Sequence, residues 1–161
     1  MPTVESWRSF LRGSRHDLQL RAARALLEYG KAPDIVDLLY IFDNFFAKGL
    51  GAATRQTLLR RAGPELVVPM KARLASPQSY VRESACTILG HCGDFSVTPA
   101  LIAMLEDPVA MVRRAAGFAL ADLKDPASLD RLRAAAVAAA SDDTNVQWAI
   151  DCAIREVSAK R

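Results

Sequence analysis

The amino-acid sequence predicts an all-α fold, an α-solenoid (α-α superhelix) of about five helix-turn-helix repeats whose last repeat is truncated. The first observation is the stretch from Asp107 to Leu123, which opens with Asp-Pro, a pair suited to the first turn of a helix. The second is one apolar helical face in this stretch, at the spacing i, i+3, i+4, i+7 and i+8. Its members are Val112, Ala115, Ala116, Ala119, Leu120 and Leu123. The third is that similar stretches recur along the chain, which indicates a repeat array.

The first part of the chain is predicted to hold a capping helix and one diverged repeat. Residues 1–13 form the N-terminal capping helix, and residues 14–47 form the first repeat. The second helix of this repeat opens with Pro33-Asp34 and is apolar on nearly every side up to Phe46. Such a helix is either packed between neighbours or exposes a sticky face.

Three further repeats are predicted at about residues 50–75, 76–106 and 107–140, followed by a C-terminal capping helix at 141–161. Val112-Arg113 repeats Val81-Arg82 at an offset of 31 residues. Because stacked repeats bring equivalent positions close together, we expect Arg82 and Arg113 to bind an Asp or Ser at a repeat start, as a structural ladder. The whole chain, residues 1–161, is predicted to be one domain.

The pattern D-P-x-x-x-V-R-x-x-A-x-x-x-L resembles the short HEAT-like repeat of phycobilisome-lyase-type proteins. Its best matches are Asp107, Pro108, Val112, Arg113, Ala116 and Leu120, followed by Pro77, Val81, Arg82, Ala85 and Leu89. The resemblance fades in residues 48–62. It implies an α-solenoid and, as a remote alternative for function, a bilin lyase-like protein that handles tetrapyrroles.

The composition is that of a soluble globular protein, with 51% hydrophobic and 24% charged residues among 161. No apolar run approaches the roughly 20 residues that span a bilayer, and the N-terminal 15 residues are charged where a signal peptide needs an apolar core. We therefore expect a cytoplasmic protein without membrane contact. Cys86, Cys92 and Cys152 form no Cys-x-x-Cys pair, which favours reduced, structural thiols.

Residues that could carry chemistry are sparse. The two histidines, His16 and His91, lie far apart and do not cluster with cysteines at metal-ligand spacing. The segment from Gly49 to Thr54 begins like a dinucleotide-binding loop but lacks the strand and the final small residue of that motif. We expect no catalytic residue, metal or cofactor, and hence no enzyme.

The surface offers the remaining candidates, because residues 48–73 hold six Lys/Arg against Glu65 alone. The predicted partner-binding residues are Phe45, Phe46, Lys48, Arg55, Arg60, Arg61, Lys71 and Arg73. The aromatic residues could equally be core, and the basic ones a solvated face.

The leading hypothesis is a non-enzymatic protein-protein interaction module, such as a small bacterial-type adaptor, scaffold, accessory or immunity protein. We expect its protein partner to bind the surface of the second helices and the basic edge. The alternative is nucleic-acid binding by the basic segment, which lacks the interleaved aromatics of single-strand binders. The oligomeric state is left open.

Overall fold

The computed structural model describes residues 3–29, 34–45, 49–139 and 144–159. Within these ranges the chain forms ten α-helices and no β-strand. The helices are α1 Val4–Leu11, α2 His16–Tyr29, α3 Ile35–Phe45, α4 Gly51–Arg60, α5 Pro64–Arg73, α6 Ser79–His91, α7 Thr98–Ala103, α8 Ala110–Leu123, α9 Leu129–Ala139 and α10 Thr144–Ser158. Two short 3-10 turns flank α7, at Phe95–Val97 and Met104–Glu106, and a third precedes α9, at Pro126–Ser128. The all-α prediction is confirmed.

Backbone contacts divide the chain into two compact units, Met1–Arg61 and Ala62–Arg161. The division falls between α4 and α5, inside the repeat predicted at residues 50–75. The organisation of the chain as one domain stays a prediction, and each unit is described by itself below.

In the first unit the apolar helix α3 packs into a core rather than exposing a sticky face. Four of its side chains, Leu38, Ile41, Phe42 and Phe45, are fully or almost fully buried. Phe45 shares a cluster with residues from α1, α2 and the start of α4: Leu11, Ala22, Ala23, Leu26, Ile41 and Leu50. One side of α3 is therefore core, whereas Leu39 and Tyr40 are half-buried and Val36 is 60% exposed.

Asp37 is a charged residue within this largely apolar helix, and it is only 1% exposed. The Arg8 guanidinium donates to its Oδ2, and Arg12 Nη2 donates to its Oδ1 at 2.9 Å. Burial of a carboxylate requires such pairing, because an unpaired buried charge is strongly unfavourable. This ion-pair cluster fastens α1 to α3.

The second unit repeats one arrangement, in which a first helix of each repeat packs beside the first helix of the next. The most extensive packing joins α6 to α8 and α8 to α10, and each second helix (α5, α7, α9) contacts the first helix that follows it. The predicted apolar face of α8 lies in these contacts. All six of its members are buried, with exposures of 0 to 7%.

Small residues allow this close packing. A Cβ atom placed on Gly90 of α6 would lie 2.7 Å from the Ala119 Cα of α8, and one placed on Gly117 would lie 3.1 Å from the Ala149 Cβ of α10. Small residues therefore mark the close helix approach at both interfaces.

The start of α8 differs from the sequence prediction. The helix begins at Ala110 instead of at Asp107-Pro108. Asp107 Oδ1 accepts a hydrogen bond from the Val109 N–H at 2.9 Å and so closes a turn before the helix. The equivalent short-range bonds occur at Asp94 (to Ser96 N–H) and Asp125 (to Ala127 N–H), each before a 3-10 turn. Aspartate at these positions therefore stabilises the turn that precedes the helical residues.

Candidate functional site

The predicted basic segment is divided between the two units. Arg55, Arg60 and Arg61 belong to the first unit, whereas Lys71 and Arg73 belong to the second. Arg60 is exposed and donates to Thr57 Oγ1 at 3.1 Å. Arg73 Nη1 donates to the Pro69 carbonyl at 2.8 Å, which closes the last turn of α5. The partner-binding role of these five residues stays a prediction.

The aromatic part of the predicted site does not form a surface at Phe45. Its side chain is 1% exposed and packs in the core of the first unit. This corrects the assignment of Phe45 as a partner-binding residue, because a side chain at that depth does not reach a partner. Phe46 and Lys48 lie outside the described residues.

Two of the large apolar side chains that are exposed in the second unit lie on its first helices. Met111 of α8 is 53% exposed and Trp148 of α10 is 57% exposed. Trp148 meets the half-buried Phe118 of α8 edge to face, with 5.3 Å between the ring centroids and 76° between the planes. The pair fixes two aromatic rings across the α8–α10 seam at the surface.

These residues follow the repeat register. Met111, Arg114, Phe118 and Asp122 lie at i, i+3, i+7 and i+11, on the side of α8 away from its buried face. The equivalent positions 31 residues earlier, in α6, are occupied by Tyr80, Glu83, Thr87 and His91. We call the set Thr87, His91, Met111, Arg114, Phe118 and Trp148 the first-helix patch.

A shallow groove runs through part of the first-helix patch, between α6 and α8. Its volume is about 340 Å³, and its walls include Thr87, His91, Met111 and Phe118. At one end His91 Nδ1 lies 3.6 Å from Asp122 Oδ2 and 3.0 Å from the Thr87 carbonyl oxygen. The groove therefore combines apolar side chains with polar and charged ones.

Of the arginine ladder predicted from the sequence, the described residues show the contact between repeats at Arg82. Arg82 donates from Nε and Nη2 to the two carboxylate oxygens of Asp107, at 2.7 and 2.9 Å. Its Nη1 donates to the Ser76 carbonyl at 2.9 Å, in its own repeat. The Arg82 guanidinium is also the main cause that lowers the pKa of Asp107 below its ordinary value of 3.8. Arg82 thus joins one repeat to the start of the next.

Cys86 and Cys92 show no sign of an activated thiol. Cys86 is buried, and burial is the main cause that raises its pKa to about 12. Burial also raises the pKa of Cys92. Since the thiolate is the reactive form, these thiols are poor nucleophiles at neutral pH. Across residues 3–29, 34–45, 49–139 and 144–159, no group of three or more His, Cys, Asp or Glu is placed to hold a metal ion.

Sequence analysis missed Met111, Phe118 and Trp148 as surface residues. A signal was present, since once the Ala-rich face of α8 is assigned to the interior, Met111 and Phe118 are left on the opposite side at helical spacing. Trp148 stands in the same relation to the buried face of α10. The buried face by itself therefore does not predict this second, exposed stripe.

Comparison with known proteins agrees with the repeat architecture. The family model for HEAT repeats matches residues 67–152, which is more than half of the chain and runs from α5 into α10. A comparison with curated proteins found no match to this chain. None of the helices in the described part of the chain has the length and apolar character that crossing a membrane requires. The match and the packing of α6, α8 and α10 together identify the chain as a member of the HEAT-repeat family.

Proposed function

We propose that this chain is a non-enzymatic protein-interaction module, of the adaptor or scaffold type, that binds its partner through the first-helix patch. HEAT repeats generally mediate protein-protein interaction. The observation that supports the patch is the exposed Phe118–Trp148 pair beside Met111. Large apolar side chains held at a surface mark binding sites in soluble proteins.

The residue types of the patch support this function. Trp, Met and Arg are enriched in protein interfaces, and Trp and Arg dominate their binding energies. The edge-to-face contact with Phe118 restrains Trp148 before any partner binds, so less side-chain entropy is lost on binding. Arg114 adds a positive charge beside Glu83 and Asp122, which line the same groove, so the partner surface would need groups of both signs.

The absence of an enzymatic role is part of the proposal. Burial raises the pKa of Cys86 to about 12, so this thiol is unsuited to nucleophilic catalysis at neutral pH. A stacked repeat array leaves continuous helix faces open, and binding is the use that suits them.

The test is capture of partners from a native lysate, identification by mass spectrometry, and titration of the purified partner. A Met111→Ser/Trp148→Ser variant should keep the helical circular dichroism of the wild type, because both side chains are more than half exposed. It should bind the partner at least ~10-fold more weakly, as expected for loss of a central Trp.

The matched control is Val68→Ser/Val137→Ser, which removes two exposed apolar side chains from the second helices α5 and α9. This control should bind like the wild type. If it loses the partner while Met111→Ser/Trp148→Ser keeps it, the second helices are the binding surface.

Charge reversal tests the basic segment. If Arg60→Glu/Arg61→Glu alone loses the partner, the binding surface lies there, as the sequence suggested. Retention of wild-type protein on DNA that weakens steeply with salt would support the nucleic-acid alternative instead.

A further inference from the structure

We propose that Arg113 binds a carboxylate side chain of the partner protein, in a cavity one repeat beyond the Arg82–Asp107 pair. This inference rests on the proposed function, and it names the chemistry of the partner. The Arg82 site shows how the repeat binds a carboxylate. Arg113 occupies the equivalent position of the next repeat, but no carboxylate among the described residues accepts a hydrogen bond from it.

Arg82 provides the template. Its guanidinium is oriented by its own repeat, because Nη1 donates to the carbonyls six and five residues earlier, Ser76 at 2.9 Å and Pro77 at 3.3 Å. The opposite edge, Nε and Nη2, is thereby directed at the two oxygens of Asp107. This forked pairing is the strong, geometrically specific mode of carboxylate binding.

Arg113 is held in the same way. Its Nη1 donates to the carbonyls six and five residues earlier, Asp107 at 2.8 Å and Pro108 at 3.2 Å. The two arginines are therefore oriented by the same backbone positions of their repeats. In the described part of the chain, however, no carboxylate accepts a hydrogen bond from Nε or Nη2 of Arg113.

The side of the repeat that carries Arg113 opens on a cavity of about 410 Å³. Its charged lining among the described residues consists of Arg113, Arg131, Glu106 and Asp107, and its apolar lining includes Ile102, Leu105 and Val146. The Asp107 carboxylate is already paired with Arg82, so the charged groups of the lining that this pairing leaves over are the guanidinium groups of Arg113 and Arg131 and the carboxylate of Glu106. This excess of guanidinium groups complements an acidic side chain. The apolar walls suit aliphatic residues next to that side chain, and the volume is in the range of ligand-binding clefts.

The test uses the full chain and two short peptides as probes. The first is N-acetyl-Leu-Asp-Leu-amide, and the second has Asn in place of Asp. Binding is followed by the NMR signal of the Arg113 Nε–H group during titration. The Asp peptide should shift this signal, and the Asn peptide should bind at least ~10-fold more weakly, because a charge-assisted pair is replaced by a neutral one.

Variants then assign the site. Arg113→Gln and Arg113→Lys should each weaken Asp-peptide binding at least ~10-fold, since both lose the fork. Arg133→Gln is the matched control, because Arg133 is an exposed arginine of α9 outside the cavity lining, and it should bind like the wild type. The two wild-type titrations keep the test decisive even if an Arg113 variant folds poorly.

Equal binding of the Asp and Asn peptides, or no shift with either, would overturn the proposal. Peptide binding that appears only in Asp142→Asn/Asp143→Asn would also overturn it, because the chain's own carboxylates would then be the occupant. If Arg113→Gln keeps full affinity for the captured partner while Met111→Ser/Trp148→Ser loses it, the carboxylate site is wrong and the interaction function stands. If neither variant affects the captured partner, the first-helix patch is wrong as well.

Discussion

Asp107 accepts two hydrogen bonds from Arg82, at 2.7 Å from Nε and 2.9 Å from Nη2, across the 25 residues that separate them. The same carboxylate also accepts the Val109 N–H at 2.9 Å. One buried side chain therefore closes the turn before α8 and fastens that turn to the preceding repeat.

Removal of the Asp107 carboxylate should destabilise the folded protein. We expect Asp107→Ala to lower the free energy of unfolding by about 3 kcal/mol, because it leaves the largely buried Arg82 without its counter-ion. Urea denaturation followed by circular dichroism measures this. The matched control is Asp130→Ala, which removes an exposed carboxylate 3.7 Å from Arg133 and should cost ~0.5 kcal/mol or less. Equal losses in both variants would contradict the role assigned to Asp107.

The same pair predicts a pH dependence of stability. Arg82 holds the pKa of Asp107 below 3.8 in the folded protein, so the pair stabilises above that pH and the contribution disappears as the pH falls through the folded pKa. The difference in unfolding free energy between wild type and Asp107→Asn should be constant near pH 7 and shrink below about pH 4. Urea midpoints at several pH values measure it. A difference that grows on acidification would reverse the sign and refute the pairing.

Because α6 and α8 approach closely at Gly90, the addition of a single methyl group there should lower the free energy of unfolding. Gly90→Ala should destabilise the protein by about 1–2 kcal/mol, because overpacking of roughly 1–3 kcal/mol exceeds the gain of up to ~1 kcal/mol in helix propensity. The comparison is Gly117→Ala, whose new Cβ would lie 3.1 Å from Ala149 Cβ instead of 2.7 Å from a backbone atom. Its effect on the urea midpoint should be smaller. A Gly90→Ala variant as stable as the wild type would mean that the helices are farther apart.

Thiol reactivity should differ among the cysteines. In the native protein at pH 8, iodoacetamide should leave Cys86 unmodified, because burial raises its pKa to about 12 and shields the sulfur. The half-buried Cys152 should react first, as followed by peptide mass mapping, and Cys86 should react only after denaturation. Modification of Cys86 at the rate of Cys152 in native buffer would show that its surroundings are open.

Local and periodic features were readable from the sequence. The buried face of α8 and the equivalence of Arg82 and Arg113 both follow from residue spacing, because a helix converts sequence period into faces. The start of α8 was predicted two residues too early. Asp107 and Pro108 suit a helix start and a turn equally well, and the pairing with Arg82 favours the turn.

Features that depend on contacts far apart in sequence were not readable. Asp37 is buried against Arg8 and Arg12, residues of another helix, and nothing near Asp37 in the sequence announces them. Likewise, Phe45 is buried because side chains of α1 and α2 pack around it. The first-helix patch exists only because Phe118 and Trp148, 30 residues apart, meet across two packed helices.

The sequence by itself determined that this chain is an all-α HEAT-repeat protein, since a recurring pattern of turn residues and small apolar residues can bury its faces only by stacking. The tertiary structure alone decided which residues remain outside that stack. Exposure depends on what the neighbouring helices cover, so Phe45 lies in the core whereas Met111 and Trp148 remain exposed. Backbone contacts, which also depend on the tertiary structure, divide the basic segment between two units.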